Sequence, residues 1–149
     1  MENLNYFIRM IGKDEPSQIN LIERDISGGR ISKNTIDSLS MYDEKNVLTV
    51  SGLTQDTFEY LLHNYGKKFR VINFWKCPLV QDFSAIETLS EIEYITYFWN
   101  QRVEKLWNFV KTPKLKGFGF DDFTRLHNLN DLANANQLSE LEFGDKVWV

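Results

Sequence analysis

Cysteine occurs once in these 149 residues and proline three times. A single thiol excludes an intramolecular disulfide framework. With only two histidines, no C-x-x-C and no H-x-x-x-H, the chain also lacks a ligand set spaced for a transition metal. Positive charge is in deficit: 17 Lys and Arg against 21 Asp and Glu give a net charge of −4 and a pI near 5.2. That balance argues against nucleic acid or an anionic membrane as partner. The one tight basic cluster, Lys67, Lys68 and Arg70, comes with no nucleic-acid motif. No apolar run approaches the ~18 residues of a membrane span. The start, Met1-Glu2-Asn3-Leu4, has neither the basic region nor the apolar stretch of a secretory leader. These absences lead us to expect a soluble, cytoplasmic protein with no membrane contact, no metal and no cofactor.

What the chain has instead is order among its apolar residues. Four segments share the frame apolar-x-x-apolar-x-apolar at a step of 23 residues: Phe69, Ile72, Phe74; Ile92, Ile95, Tyr97; Leu115, Phe118, Phe120; Leu138, Leu141, Phe143. Further columns keep the same step: Val80, Val103, Leu126; Phe83, Leu106, Leu129; Ile86, Phe109, Leu132. All twenty-one positions are apolar in a chain that is 42% hydrophobic. Chance would give this with a probability on the order of 10⁻⁸, so the chain is a repeat protein. An earlier frame, Leu48, Val50 and Leu53, fits at a step of 24.

In an extended segment alternate side chains face opposite ways. Ile72 and Phe74 therefore point inward while Val71, Asn73 and Trp75 point outward. Stacked frames give parallel strands centred near 48–50, 72–74, 95–97, 118–120 and 141–143. The columns spaced by three suit short helices or 3₁₀ turns that return the chain to the next strand. Gln101–Lys111 and Thr54–Tyr65 are the expected helices. Trp107 falls in the column of Ser84 and Asn130, exposed on one flank or packed at an edge.

The frames FRVINFWKC (69–77), IEYITYFWN (92–100), LKGFGFDDF (115–123) and LSELEFGDK (138–146) resemble the leucine-rich-repeat family, L-x-x-L-x-L-x-x-(N/C)-x-L. Cys77 and Asn100 match the Asn/Cys position, whereas Phe123 and Lys146 do not. The similarity is to a small, irregular, bacterial-type member covering about two-thirds of the chain. It implies an α/β fold: a right-handed solenoid open as an arc, with parallel strands on the concave face and short helices or 3₁₀ turns on the convex face. It also implies a turn ladder built by the Asn/Cys side chains, here at two places. Residues 1–46 are expected to form an N-terminal cap and a divergent first coil, and 47–149 four to five repeats continuous with it. Asn5–Ile11 and Ile19–Ile26 read as strands and Thr35–Tyr42 as a helix. Ile22, Ile36 and Leu39 precede Leu48, Leu62 and Tyr65 by 26 residues.

Little in this pattern suggests chemistry. Cys77 occupies a turn column where a buried, inert thiol is expected, with His63 and His127 on other repeats. Gly28-Gly29 has no phosphate-binding lysine after it, and Gly117 and Gly119 lie inside a strand. The carboxylates Asp121, Asp122, Glu140, Glu142 and Asp145 cluster by column and read as a solvated acidic face rather than a calcium loop. We therefore expect no catalysis. The expected site is the concave row Asn73, Trp75, Tyr94, Thr96, Phe98, Trp99, Asp121, Asp122 and Glu142, where exposed aromatics have the composition of interface hot spots. The expected function is a scaffold that binds a protein partner. The alternative is carbohydrate binding, with Trp75, Phe98 and Trp99 stacking on sugar rings. The same rings could instead pack on one another or beneath the N-terminal segment. At the C-terminal end Leu141 and Phe143 have no following columns to cover them, so a homodimer through this coil is a further expectation.

Overall fold

The computed structural model describes residues 2–23, 29–43 and 46–144. Its strands are β1 (Gln18–Leu21), β2 (Val47–Val50), β3 (Val71–Trp75), β4 (Tyr94–Asn100), β5 (Gly117–Phe123) and β6 (Glu140–Phe143). They form one parallel sheet in chain order. From β2 onward the pairing follows the repeat, with Val50, Phe74, Tyr97, Phe120 and Phe143 in one row across five strands. The five strand centres read from the sequence all lie in β2 to β6. β1 departs from the expected register: Ile19 pairs with Leu48, an offset of 48 − 19 = 29 residues rather than 26. Ile22 thus falls just beyond β1, and Ile26 lies outside the described residues.

One face of the sheet carries the repeat's apolar residues. Leu48, Val50, Ile72, Phe74, Ile95, Tyr97, Phe118 and Phe120 are buried, and the columns of Val80, Phe83, Ile86, Val103, Leu106, Phe109 and Leu126 pack against them. Among the crossovers, α3 (Gln55–Tyr65) is the one long helix of the described residues. Thr54 caps it by accepting from the Thr57 amide, and Thr57 reciprocates toward the Thr54 amide. Phe58, Leu61 and Leu62 supply its buried stripe. The helix expected over Thr35–Tyr42 is a short α2 (Lys33–Asp37) continued by a 3₁₀ turn, Ser38–Met41, with Ile36 and Leu39 buried.

The helix expected over Gln101–Lys111 does not form; only Phe109–Lys111 makes a 3₁₀ turn. A helix needs its N–H groups for its own carbonyls, and here flanking segments claim them. Asp131 accepts from the Leu106 amide and Glu87 from the Asn108 amide, both of which a helix over 101–111 would need; the Arg102 and Val103 amides, bonded to Asn100 Oδ1, would be free in such a helix. Of the two placements expected for Trp107, exposed on a flank or packed at an edge, exposure is excluded: it is buried, stacks on Phe109 at 4.1 Å and donates from Nε1 to Thr112. At the other end Leu141 and Phe143 of the edge strand β6 are 40% and 50% exposed. Asp145 and Lys146, named above in the acidic column and the last frame, lie outside the described residues.

The largest departure is at the N-terminus. The strand expected over Asn5–Ile11 is a helix, α1 (Leu4–Met10). Asn3 caps it by accepting from the Tyr6 amide, and Leu4, Phe7 and Met10 recur at helical spacing on its buried side. Rather than covering an end of the sheet, α1 lies across β3, β4 and β5 on the face opposite the repeat core.

Candidate functional site

The face that α1 crosses is the one the sequence presents as a binding surface. It carries three rows. The row nearest the strand starts, Val47, Val71, Tyr94, Gly117 and Glu140, meets the helix directly. Leu4, Phe7 and Met10 form a second apolar cluster with Val47, Val71 and Tyr94. The Phe7 and Tyr94 rings lie 4.9 Å apart. Tyr94 in turn lies across Gly117, where a Cβ would come within 2.7 Å of its ring. Glycine at that position is what lets the phenol lie flat under the helix. Burial, then the adjacent Glu140 carboxylate, push the Tyr94 phenol above its ordinary value.

Polar contacts hold both ends of α1. Glu140 on β6 accepts from the Leu4 amide at 3.0 Å, placing a carboxylate at the helix N-terminus, where the backbone dipole favours it. The Gln18 amide donates to Met10 O and Lys13 O at the other end. Arg70 bonds Glu2 through its guanidinium, which also lies 5.9 Å from the centroid of the Phe7 ring.

The middle row is sealed. Asn73 and Thr96, expected at the surface, are fully buried and bond in a chain: Thr96 Oγ1 donates to Asn73 Oδ1 at 2.7 Å, and Asn73 Nδ2 to Thr49 Oγ1 at 3.3 Å. Tyr94 is 6% exposed. These three expected contact residues are therefore internal, because α1 covers them. Gly119 continues the row, with Leu4 and Ile8 above it, and Glu142 on β6 ends it in solvent.

Only the row at the strand ends stays open. Trp75 and Phe98 pair side by side in the sheet, half-buried, with ring centroids 6.0 Å apart in an edge-to-face arrangement. Together with Ile8, Ile11, Gly12 and Ile22 they line a mainly apolar cleft of about 460 Å³. Asp121 follows Phe98 in the same row, and Asp122 stands next to it. The Lys76 ammonium lies 5.7 Å from the Trp75 ring centroid.

A recurrent bend separates this row from the turns that lead into the crossovers. Lys76, Trp99 and Asp122, at the repeat step, all have positive φ, and Gly52 adopts the same conformation in β2's continuation. The bend breaks the strand alternation, so pairing resumes at Asn100 with Phe123. Trp99 consequently leaves the aromatic row and lines a separate cleft with Leu53, Pro78 and Leu79. The trio Trp75, Phe98 and Trp99 is thus not brought together, and the edge-to-face pair offers no continuous flat platform for a sugar ring.

Beyond the bend, Asn100 turns inward and bonds backbone groups of the turn, donating to Val80 O and accepting from Arg102 and Val103. Cys77, in the equivalent position, is fully buried with its Sγ 3.7 Å from Val50 O. Burial pushes this thiol up to about 12, which keeps it protonated and unreactive near neutrality.

The cleft residues that the sequence reading missed are Ile8, Ile11, Gly12 and Ile22. Two signals pointed to them: the helical spacing of Leu4, Phe7 and Met10, and the change from Tyr94 and Thr96 to Gly117 and Gly119 along the outward row, which leaves space above β5 for a covering element. No helix of the described residues is long and apolar enough to cross a membrane. Comparison with protein-family models, with curated proteins and with solved structures gave no match.

Proposed function

We propose that the chain is a non-enzymatic interaction module, a single open solenoid of leucine-rich-repeat type that grips a protein partner at the α1 cleft. Six parallel strands in chain order, with a core fed by their own crossovers, support the solenoid reading. The observation that carries the binding reading is the cleft itself: two half-buried aromatics and three isoleucines around an opening, with Asp121 beside Phe98 in the sheet. An apolar side chain of the partner fills it, and a neighbouring Lys or Arg pairs with Asp121. Aromatic anchors ringed by polar groups are where binding energy concentrates.

The test is affinity capture with the wild-type chain beside Trp75→Ala, Phe98→Ala and, on the opposite surface, Glu104→Ala. The proposal requires one protein to be retained by wild type and Glu104→Ala and lost with both aromatic variants, while far-UV circular dichroism stays the same. Loss with Glu104→Ala and retention with the aromatic variants would move the site to the crossover side.

A further inference from the structure

The 23-residue step sets residues 23 apart side by side, so charge pairing between neighbouring repeats can be read along the chain. Arg70 faces Glu93 at 3.7 Å, Glu93 faces Lys116 at 2.8 Å, and Glu91 bridges to Lys114. Asp82 is held below its ordinary value by hydrogen bonds from Ser84, with Lys105 adding to the effect. In each of these pairs the signs are opposite, as side-by-side stacking favours.

Arg102 and Arg125 break the rule. They are 23 residues apart, both exposed, and neither has a salt bridge among the described residues. Their attachment is firm. The strands end in the pair Asn100–Phe123, two residues before each arginine, so the two backbones start about 4.8 Å apart. The Arg102 amide bonds Asn100 Oδ1, the Gln101 amide bonds Pro78 O, and the Thr124 amide bonds Asn100 O. The two arginines line a polar concavity of about 570 Å³ with Gln81, Gln101 and Thr124. Its lining contains no carboxylate, and its other side chains are neutral groups able to donate hydrogen bonds.

We infer that this concavity binds a dianionic oxyanion of the phosphate type, free or as a monoester. Two guanidinium groups match two negative charges, and their planar forks suit tetrahedral oxyanions. The amides of Gln81 and Gln101 and the Thr124 hydroxyl serve the remaining oxygens. The site is independent of the α1 cleft and of whatever binds there.

The test follows the arginine Nε–Hε resonances while inorganic phosphate or O-phosphoserine is titrated at constant ionic strength, with sodium chloride as control. Saturable shifts are expected at Arg102 and Arg125, with a dissociation constant on the order of 1 mM. Arg102→Gln and Arg125→Gln should each weaken binding by about tenfold, whereas Lys105→Ala leaves it unchanged. Binding should also fall away below about pH 6, where the dianion of a phosphate monoester takes up a proton and becomes a monoanion. Matching affinities for the two probes would assign an esterified group to the site. Binding of inorganic phosphate alone would assign the free ion. Absence of saturable shifts at both arginines, or equal shifts with chloride, overturns the inference.

Discussion

The two faces of the sheet share one alternation of side chains but are covered in different ways. On the core face the apolar pairs of β2 to β5 are covered by several crossovers, as where Phe58, Phe83 and Phe109 meet Phe74, Tyr97 and Phe118. On the other face the cover is α1, a segment from outside the repeat that reaches β3, β4 and β5 across more than sixty residues of sequence. A repeated interior shares its load among neighbours and has no single removable part. A face covered by one seven-residue helix can open on its own.

The sharpest test of that difference is to damage each face and ask what unfolds. Phe74 and Phe120 are buried and stacked in the central row, Phe74 on Tyr97 at 5.0 Å and Phe120 on Phe143 at 5.6 Å. Truncating either to alanine leaves a cavity touching two neighbouring strands and should cost about 3–5 kcal/mol. Urea melts should show one cooperative transition moved to lower denaturant. A loss below about 1 kcal/mol would mean the row is not a packed core.

Phe7 is as buried as Phe74, yet its removal should act locally. Phe7→Ala takes away the ring between Tyr94 and Arg70, and α1 can lift off instead of bringing down the sheet. We expect a smaller global loss, about 2–3 kcal/mol, below the usual range for a truncated core phenylalanine because the site relaxes by opening. Limited proteolysis should then cut within residues 2–17 while the rest stays resistant. Cleavage spread evenly along the chain would show that the two faces are one cooperative unit.

The same contrast explains what could be read from the sequence. The five repeat strands were legible because Ile72, Ile95, Phe118 and their equivalents recur at a fixed step, and periodicity is a property of sequence alone. The helix over Gln101–Lys111 was misread because Val103, Leu106 and Phe109 fit a helix and a string of tight turns equally well. What decided between them was Asp131 and Glu87, side chains from other repeats that take the N–H groups of Leu106 and Asn108. The site was half legible. Trp75, Phe98 and Asp121 do lie in the open row, but Trp99 and Asp122 turn out of it at the bend, and Asn73, Tyr94 and Thr96 are covered by a contact whose sequence separation leaves no periodic trace. Asn5–Ile11 alternates loosely enough to pass for a strand; its helical state follows from the Asn3 cap and from the apolar face it finds on Val47 and Val71.

A finer probe of the α1 contact is its N-terminal clamp. Glu140→Ala leaves the Leu4 amide without its carboxylate partner and removes negative charge from the positive end of the helix. The cost should be about 1 kcal/mol, confined to α1. Amide exchange in α1 should speed up by about fivefold, the equivalent of that energy, with β3 to β5 unchanged. Equal acceleration in the strands would indicate that the clamp supports the sheet itself.

The smallest expected effect concerns Cys77, the chain's one thiol, on the core face. Burial raises its pKa to about 12, and Tyr97 Oη donates to the Cys77 carbonyl at 2.6 Å, fixing the turn around it. The reactive thiolate is therefore scarce and out of reach at mildly alkaline pH, so native protein should not react with iodoacetamide on the timescale on which unfolded protein reacts fully. The sign of the shift also fixes a pH dependence. A raised thiol pKa contributes stability that is intact below the unfolded value near 9 and lost as pH rises from there toward 12. Because Cys77 lies beneath β3 and not beneath α1, Phe7→Ala should raise its labelling less than Phe74→Ala does, each in step with its loss of global stability. Labelling that rose equally in both variants would show that removing α1 opens the core, and the two faces would then have to be treated as one.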